Sequence, residues 1–109
     1  MGAGTQKGSL IRALTNSGNV LNVSAAVTPG VQYDTIIHNG ADSQTFTITL
    51  LDAAEFGVGF LSVWCDANPT AITVAIPDIT NPDNLTAVGD FVLLFSNGRH
   101  WMIIKEVST

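Results

Sequence analysis

Between Thr45 and Leu50, threonine alternates strictly with Phe46, Ile48 and Leu50. Side chains of an extended strand point to opposite faces in turn, so this run sets an apolar face against a hydroxyl-bearing one and fits no helix. The run Ala71 to Ile76 has the same form, with Ile72, Val74 and Ile76 on one face. It stops at Pro77, which has no amide hydrogen to give to a ladder. From Leu10 onward the other apolar residues also come in short runs broken by Asn, Gly, Pro and Asp, the spacing of strands and turns. A helix is expected only over Leu51 to Phe56, as one turn with Asp52 at its N-cap and Gly57-Val58-Gly59 ending it. The sequence therefore predicts an all-β fold, a single antiparallel β-sandwich or barrel-like domain. Its 109 residues hold one domain. That domain is placed at residues 13–109, behind a flexible, Gly-rich N-terminal arm at residues 1–12.

Two Asn-Gly pairs lie between β-rich runs, and each suits the two positive φ angles of a type I′ hairpin turn. Asn39-Gly40 is expected to join a strand over Gln32–His38 to one beginning near Gln44, with Ala41, Asp42 and Ser43 lengthening the loop. Asn97-Gly98 is expected to close a terminal hairpin between Phe91–Ser96 and His100–Val107. In that hairpin the alternation disappears. Phe91, Leu93 and Phe95 fill one face while Val92 and Leu94 fill the other, and Trp101 and Ile103 stand opposite Met102 and Ile104. Antiparallel strands wetted on one side should alternate, so both faces are expected to be covered, one by a second sheet and one by a neighbouring subunit. Phe91, Leu93, Phe95, Trp101 and Ile103 are accordingly the candidate oligomer-interface residues.

Charge supports association. Only 12% of the residues are charged, against roughly 25% in an average soluble domain, too few to cover a lone molecule. No run reaches the roughly 18–20 apolar residues of a spanning helix, and no cationic-then-apolar signal segment opens the chain, so no membrane partner is expected. The formal net charge is -5; Lys7 and Arg12 precede every carboxylate, the first of which is Asp34. An acidic body without clustered Lys and Arg does not suit a nucleic-acid surface.

Residues that carry chemistry have plainer readings. His38 and His100 each sit at the edge of an Asn-Gly turn, where a ring faces solvent, and a general base also needs a partner. Cys65, the single cysteine, excludes an internal disulfide and a multi-Cys zinc site. It follows the run Phe60–Trp64 beside Asp66, whose charge would raise the thiol pKa, and is expected to be a small apolar filler. Asp78, Asp83 and Asp90 surround a loop whose oxygen groups suit calcium, but their spacing matches no EF-hand and solvated turn residues are the expected role. Gly57-Val58-Gly59 lacks the third glycine of a phosphate-binding fingerprint. Trp64 and Trp101 are read as core or interface anchors. No catalytic residue, cofactor or metal ligand is assigned, and a non-enzymatic structural protein is expected.

The string Gly89-Asp90-Phe91-Val92-Leu93-Leu94-Phe95-Ser96-Asn97-Gly98-Arg99-His100-Trp101-Met102-Ile103-Ile104 resembles the closing hairpin of small β-structured virion proteins of tailed bacteriophages. There a hydrophobic strand, a Ser-Asn/Asp-Gly turn and a Trp followed by aliphatics recur. Thr45 to Leu50, the Asp52–Phe56 turn, Gly57–Gly59 and the strands after them are similar in order to the same modules in head decoration (cement) proteins and in fibre or spike domains. The likeness spans Val20 to Val107. It implies a homotrimer on the virion, assembled in the host cytoplasm. Because the module stands nearly alone, without repeats or a coiled-coil stem, the chain looks more like a decoration protein than a fibre. The resemblance then implies that the major capsid protein is the partner, contacted through Lys7, Leu10, Ile11 and Arg12 of the arm. The alternative is a fibre or tail-spike receptor-binding module, with Trp64 and the loops near Asn81–Asn84 touching host-surface glycans.

Overall fold

The computed structural model describes residues 19–109. The expected arm at residues 1–12, with Lys7, Leu10, Ile11 and Arg12, lies outside the described residues, as does the start of the expected domain.

The elements in chain order are β1 (Val20–Val23), β2 (Thr35–His38), β3 (Thr45–Thr49), α1 (Ala53–Phe56), β4 (Val58–Cys65), β5 (Ala71–Ala75), β6 (Phe91–Asn97) and β7 (Trp101–Val107). They form a five-stranded sheet in the order β1-β2-β4-β6-β7 and a two-stranded sheet of β3 and β5. The all-β expectation is met. The antiparallel one is corrected: β1 with β2, β2 with β4 and β3 with β5 are parallel, and only β4 with β6 and β6 with β7 are antiparallel.

From β1 to β5 successive strands change sheets, and each return runs parallel to the earlier strand. β6 also returns from the small sheet, but after Leu85 has run back antiparallel beside β5, and it pairs antiparallel with β4. From β1 the chain crosses to Val27, which bridges Ile48 of β3, then returns for β2, crosses for β3, returns for β4 and crosses for β5. Each of these returns lays a strand beside the earlier one in the same direction. Parallel neighbours need long crossovers, and here the other sheet supplies the crossover that a helix usually makes. Asn39-Gly40 is therefore not a hairpin turn. Ser43, with φ of 66°, is the positive-φ residue of that connection, and β2 and β3 sit in different sheets.

Both sheets feed one core. Ile36, Val63, Val92 and Leu94 of the large sheet meet Ile48, Ile72 and Val74 of the small one, all with no exposed surface. Each such side chain contributes roughly 1.5–3 kcal/mol by leaving water. The alternation read in the sequence for Phe46, Ile48 and Leu50 and for Ile72, Val74 and Ile76 points these residues inward as expected. Leu85 closes the edge of β5 through an antiparallel bridge to Ile72. The short helix is where the sequence puts it. Asp52 occupies the N-cap position without a side-chain cap bond, and Gly57 ends the turn at φ of 90°, which a Cβ disfavours.

The terminal hairpin forms, with a different turn. Asn97 keeps a negative φ; only Gly98 is positive, at 88°, so the loop is Gly98-Arg99 in the pattern of a type II′ turn. The Asn97 side chain accepts from the amides of Arg99 at 2.9 Å and His100 at 2.8 Å, which holds the loop closed.

Candidate functional site

Directly paired residues of neighbouring strands point to the same side of a sheet, so the registers determine what each face carries. The inner face of the large sheet takes Leu61, Val63 and Cys65 of β4, Val92, Leu94 and Ser96 of β6, and Trp101 and Ile103 of β7. The outer face takes Ile37 of β2, Val58, Phe60, Ser62 and Trp64 of β4, Phe91, Leu93 and Phe95 of β6, and Met102, Lys105 and Val107 of β7. Several of these apolar groups are open to solvent: Val58 by 73%, Phe60 by 56%, Met102 by 42% and Trp64 by 39%.

Cross-strand pairing organises that face. Phe60 and Phe95 pack with ring centroids 4.9 Å apart, and Trp64 stacks on Phe91 at 4.4 Å with 19° between the planes. Such pairs stiffen both rings and leave an apolar outer surface on them. The Trp64 Nε1 donates to Ser62 Oγ at 2.8 Å, so the polar edge of the indole is already satisfied within the face. No carboxylate stands in any of these outward rows, and Lys105 is the one cation. Monomeric proteins rarely leave a broad apolar patch uncovered.

The five residues proposed for a subunit seam divide. Phe91, Leu93 and Phe95 lie on the outer face. Trp101 and Ile103 turn the other way. Trp101 is 2% exposed, leans on Phe56 at 4.9 Å and donates its Nε1 to the Leu51 carbonyl at 2.9 Å. Ser96 fixes this phase: it is paired with Trp101, and its hydroxyl reaches the Ala53 carbonyl beneath the sheet. The sequence reading missed Val58, Phe60 and Met102 of the outer face. The alternation of Phe60 and Trp64 with Leu61, Val63 and Cys65 was its signal.

His38 also departs from expectation. The parallel pairing of β2 buries its ring completely, edge-on to Phe46 at 5.3 Å. Its Nδ1 donates to the Val23 carbonyl at 3.1 Å, since a carbonyl only accepts. His100 is exposed in the hairpin loop, as the sequence reading had it. Cys65 is buried, and its thiol is pushed up to about 11, first by burial and then by the charge of Asp90 rather than of the exposed Asp66.

The three loop carboxylates do not converge. Asp78 and Asp83 face solvent while Asp90 is buried. Asp90 accepts from the Thr109 hydroxyl at 2.6 Å and from the amides of Thr86 at 2.8 Å and Ala87 at 3.1 Å, tying the start of β6 to the residues after β7. Burial alone would raise its pKa; these bonds outweigh burial and hold it below its ordinary value. Among the described residues, no three imidazole, thiol or carboxylate groups come together as a metal site.

An open groove of about 520 Å³ runs between Ser24–Ala26 and Gln44–Thr47, lined by hydroxyl, amide and apolar groups without a titratable side chain. The glycan-contact set suggested by the sequence is also split. Asn81 and Asn84 are bonded to Ile76 and Thr73 of the small-sheet side, away from Trp64 on the outer face of the large sheet. Comparison with protein-family models, with curated proteins and with solved structures finds no match to the chain.

Proposed function

We propose that the chain is a structural subunit that assembles with copies of itself through the outer face of the large sheet, as a decoration (cement) protein on a phage head. The observation that carries this reading is the face itself: paired aromatic rings, exposed aliphatics and no carboxylate on a chain whose net charge is -5. The net charge opposes association of like copies, and on this face the hydrophobic gain of roughly 25 cal/mol per Å² of apolar area meets no carboxylate.

A homotrimer joined through Phe60, Phe91, Leu93 and Phe95 would expose its remaining surfaces to the shell. Its work would be mechanical. Many weak contacts to neighbouring major capsid subunits, including those of Lys7, Leu10, Ile11 and Arg12, sum by multivalency into resistance of the shell to internal pressure. No reacting group is required for that role.

Sedimentation equilibrium tests the assembly. The natural chain is expected to contain trimers, and Phe60→Asp and Phe95→Asp to stay folded but form no trimer, because each would bury an uncompensated charge in the interface. A natural chain that stays monomeric at millimolar concentration overturns the reading. Binding to undecorated phage heads, with a rise in their heat resistance, tests the shell role; binding to a glycan array instead would favour the receptor-binding alternative.

A further inference from the structure

The wound pair of sheets has two ends, and they are finished differently. At one end β7 carries a bulge opposite Leu93 and exposed Lys105 and Glu106, features that discourage a further strand from pairing. At the other end lies β1. The amides of Asp34 and Thr35 both donate to the Asn19 carbonyl, and the parallel register sets Val20 beside Thr35 and Leu21 beside Ile36. In a parallel ladder alternate residues bond to alternate sides. Leu21 and Val23 therefore serve β2, while the backbone N–H and C=O of Val20 and Asn22 point away from the sheet. Among the described residues no strand takes them up.

The charge map singles out the same end. No residue between Arg12 and Asp34 is charged, although the chain carries a net charge of -5. That stretch includes β1, the crossover Ser24–Ala26 and Val27, which together make the outermost turn of the winding. A second acidic copy meets no charged side chain on β1 itself, Asp34 at its start being half-buried and bonded to Asn19 Nδ2 at 3.3 Å. It does meet like charge on approaching the loops that hold Asp42, Asp66, Asp78 and Asp83.

We propose that the β1 edge is a second contact between copies of this chain: two β1 strands pair antiparallel about a two-fold axis at Leu21. Val20 of each copy exchanges both backbone bonds with Asn22 of the other. Such a contact is isologous, the same patch on both partners. It makes one continuous sheet of the two five-stranded ones and brings their outer faces edge to edge. It rests on the reading of the chain as a self-assembling subunit but uses a different surface, so the two can fail separately.

The test uses the full chain carrying Phe60→Asp, which removes the outer-face contact. Asn22→Pro then deletes one outward amide donor per copy without touching the ladder to β2. With two bonds lost per dimer, sedimentation should show association weakened about thirtyfold. Asn22→Ala is the control. It keeps the amide and loses only the side-chain bond from Asn39 Nδ2, 3.0 Å long, and is expected to associate like its parent. Equal association of the proline and alanine variants overturns the proposal. Hydrogen exchange decides even if the proline variant does not fold. The Val20 and Asn22 amides of the Phe60→Asp chain should exchange slowly at high concentration and fast on dilution. Slow exchange at every concentration would mean the chain covers its own edge, and fast exchange at every concentration would mean nothing does; either result refutes the pairing.

Discussion

Replacing Trp101 by alanine should unfold the protein rather than take its assembly apart. The indole is 2% exposed, touches Phe56 at 4.9 Å and gives its only hydrogen bond to the Leu51 carbonyl at 2.9 Å. Truncating a buried aromatic of this size costs roughly 3–5 kcal/mol. The Leu51 carbonyl left without its donor adds about 1 kcal/mol. Against a total of about 5–15 kcal/mol for an ordinary domain, a loss of roughly 4–6 kcal/mol leaves little margin. At about 4–8 °C per kcal/mol for a domain of this size, the melting midpoint falls by about 20 °C or more. Trp101→Phe keeps an aromatic ring beside Phe56 and should lose only about 1–2 kcal/mol. Urea melts at a fixed low protein concentration, with the slope checked for constancy, measure this. A Trp101→Ala chain that melts within about 1.5 kcal/mol of the natural one, yet no longer associates, would place the indole in an interface and refute the assignment of β7's inner face.

Two further outcomes follow from the buried titratable groups. Asp90→Asn keeps one acceptor oxygen for the amides of Thr86 and Ala87 and turns its NH2 to the Thr109 hydroxyl, so that bond reverses direction. The bonds also lose the carboxylate charge, and the change should cost about 1–2 kcal/mol at pH 7. Because its folded pKa lies below the unfolded value of about 3.9, the natural carboxylate stabilises fully above that value. Its contribution disappears as pH falls through the folded pKa, so acid melts of the variant should be flatter than those of the natural chain, and parallel curves would contradict the role. Cys65 should resist Ellman's reagent at pH 8 until the protein unfolds, its thiol being buried and raised to about 11; rapid labelling of the native chain would count against its burial. The linkage has the opposite sign to that of Asp90: the stability held by the protonated thiol is complete below the unfolded pKa and declines as pH rises towards 11.

What the sequence disclosed was which side chains share a face; it did not disclose which strands share an edge. Thr45–Leu50 and Ala71–Ile76 alternate so cleanly that their inward residues could be named, because periodicity of two reports the pleat directly. The same periodicity is identical in parallel and antiparallel ladders, so the winding between sheets left no local trace. His38 was misplaced for that reason: Asn39-Gly40 has the residues of a hairpin turn, and it is the place of β2 between β1 and β4 that turns the ring inward to Phe46 and the Val23 carbonyl. The terminal ribbon posed the reverse problem. With both faces apolar, nothing in Phe91–Phe95 says which one is core, and the choice is made by Ser96, a polar residue turned inward to the Ala53 carbonyl. Trp64 and Trp101, equivalent in composition, end on opposite faces of one sheet.

The parallel winding also dictates an order of events during synthesis. Val20 must wait for Thr35, Ile36 for Val63 and Thr45 for Ala71, each across an excursion through the other sheet. Such distant closures are slow, on the order of milliseconds to seconds. The most local pairing, β6 with β7, leaves the ribosome after the other described strands, and it supplies Val92, Leu94 and Trp101 to the shared interior. Until then the earlier strands have no lid on that side of the core. A nascent chain interrupted before Phe91 is thus expected to be sticky rather than half-folded, and the final hairpin acts as the latch on everything made before it.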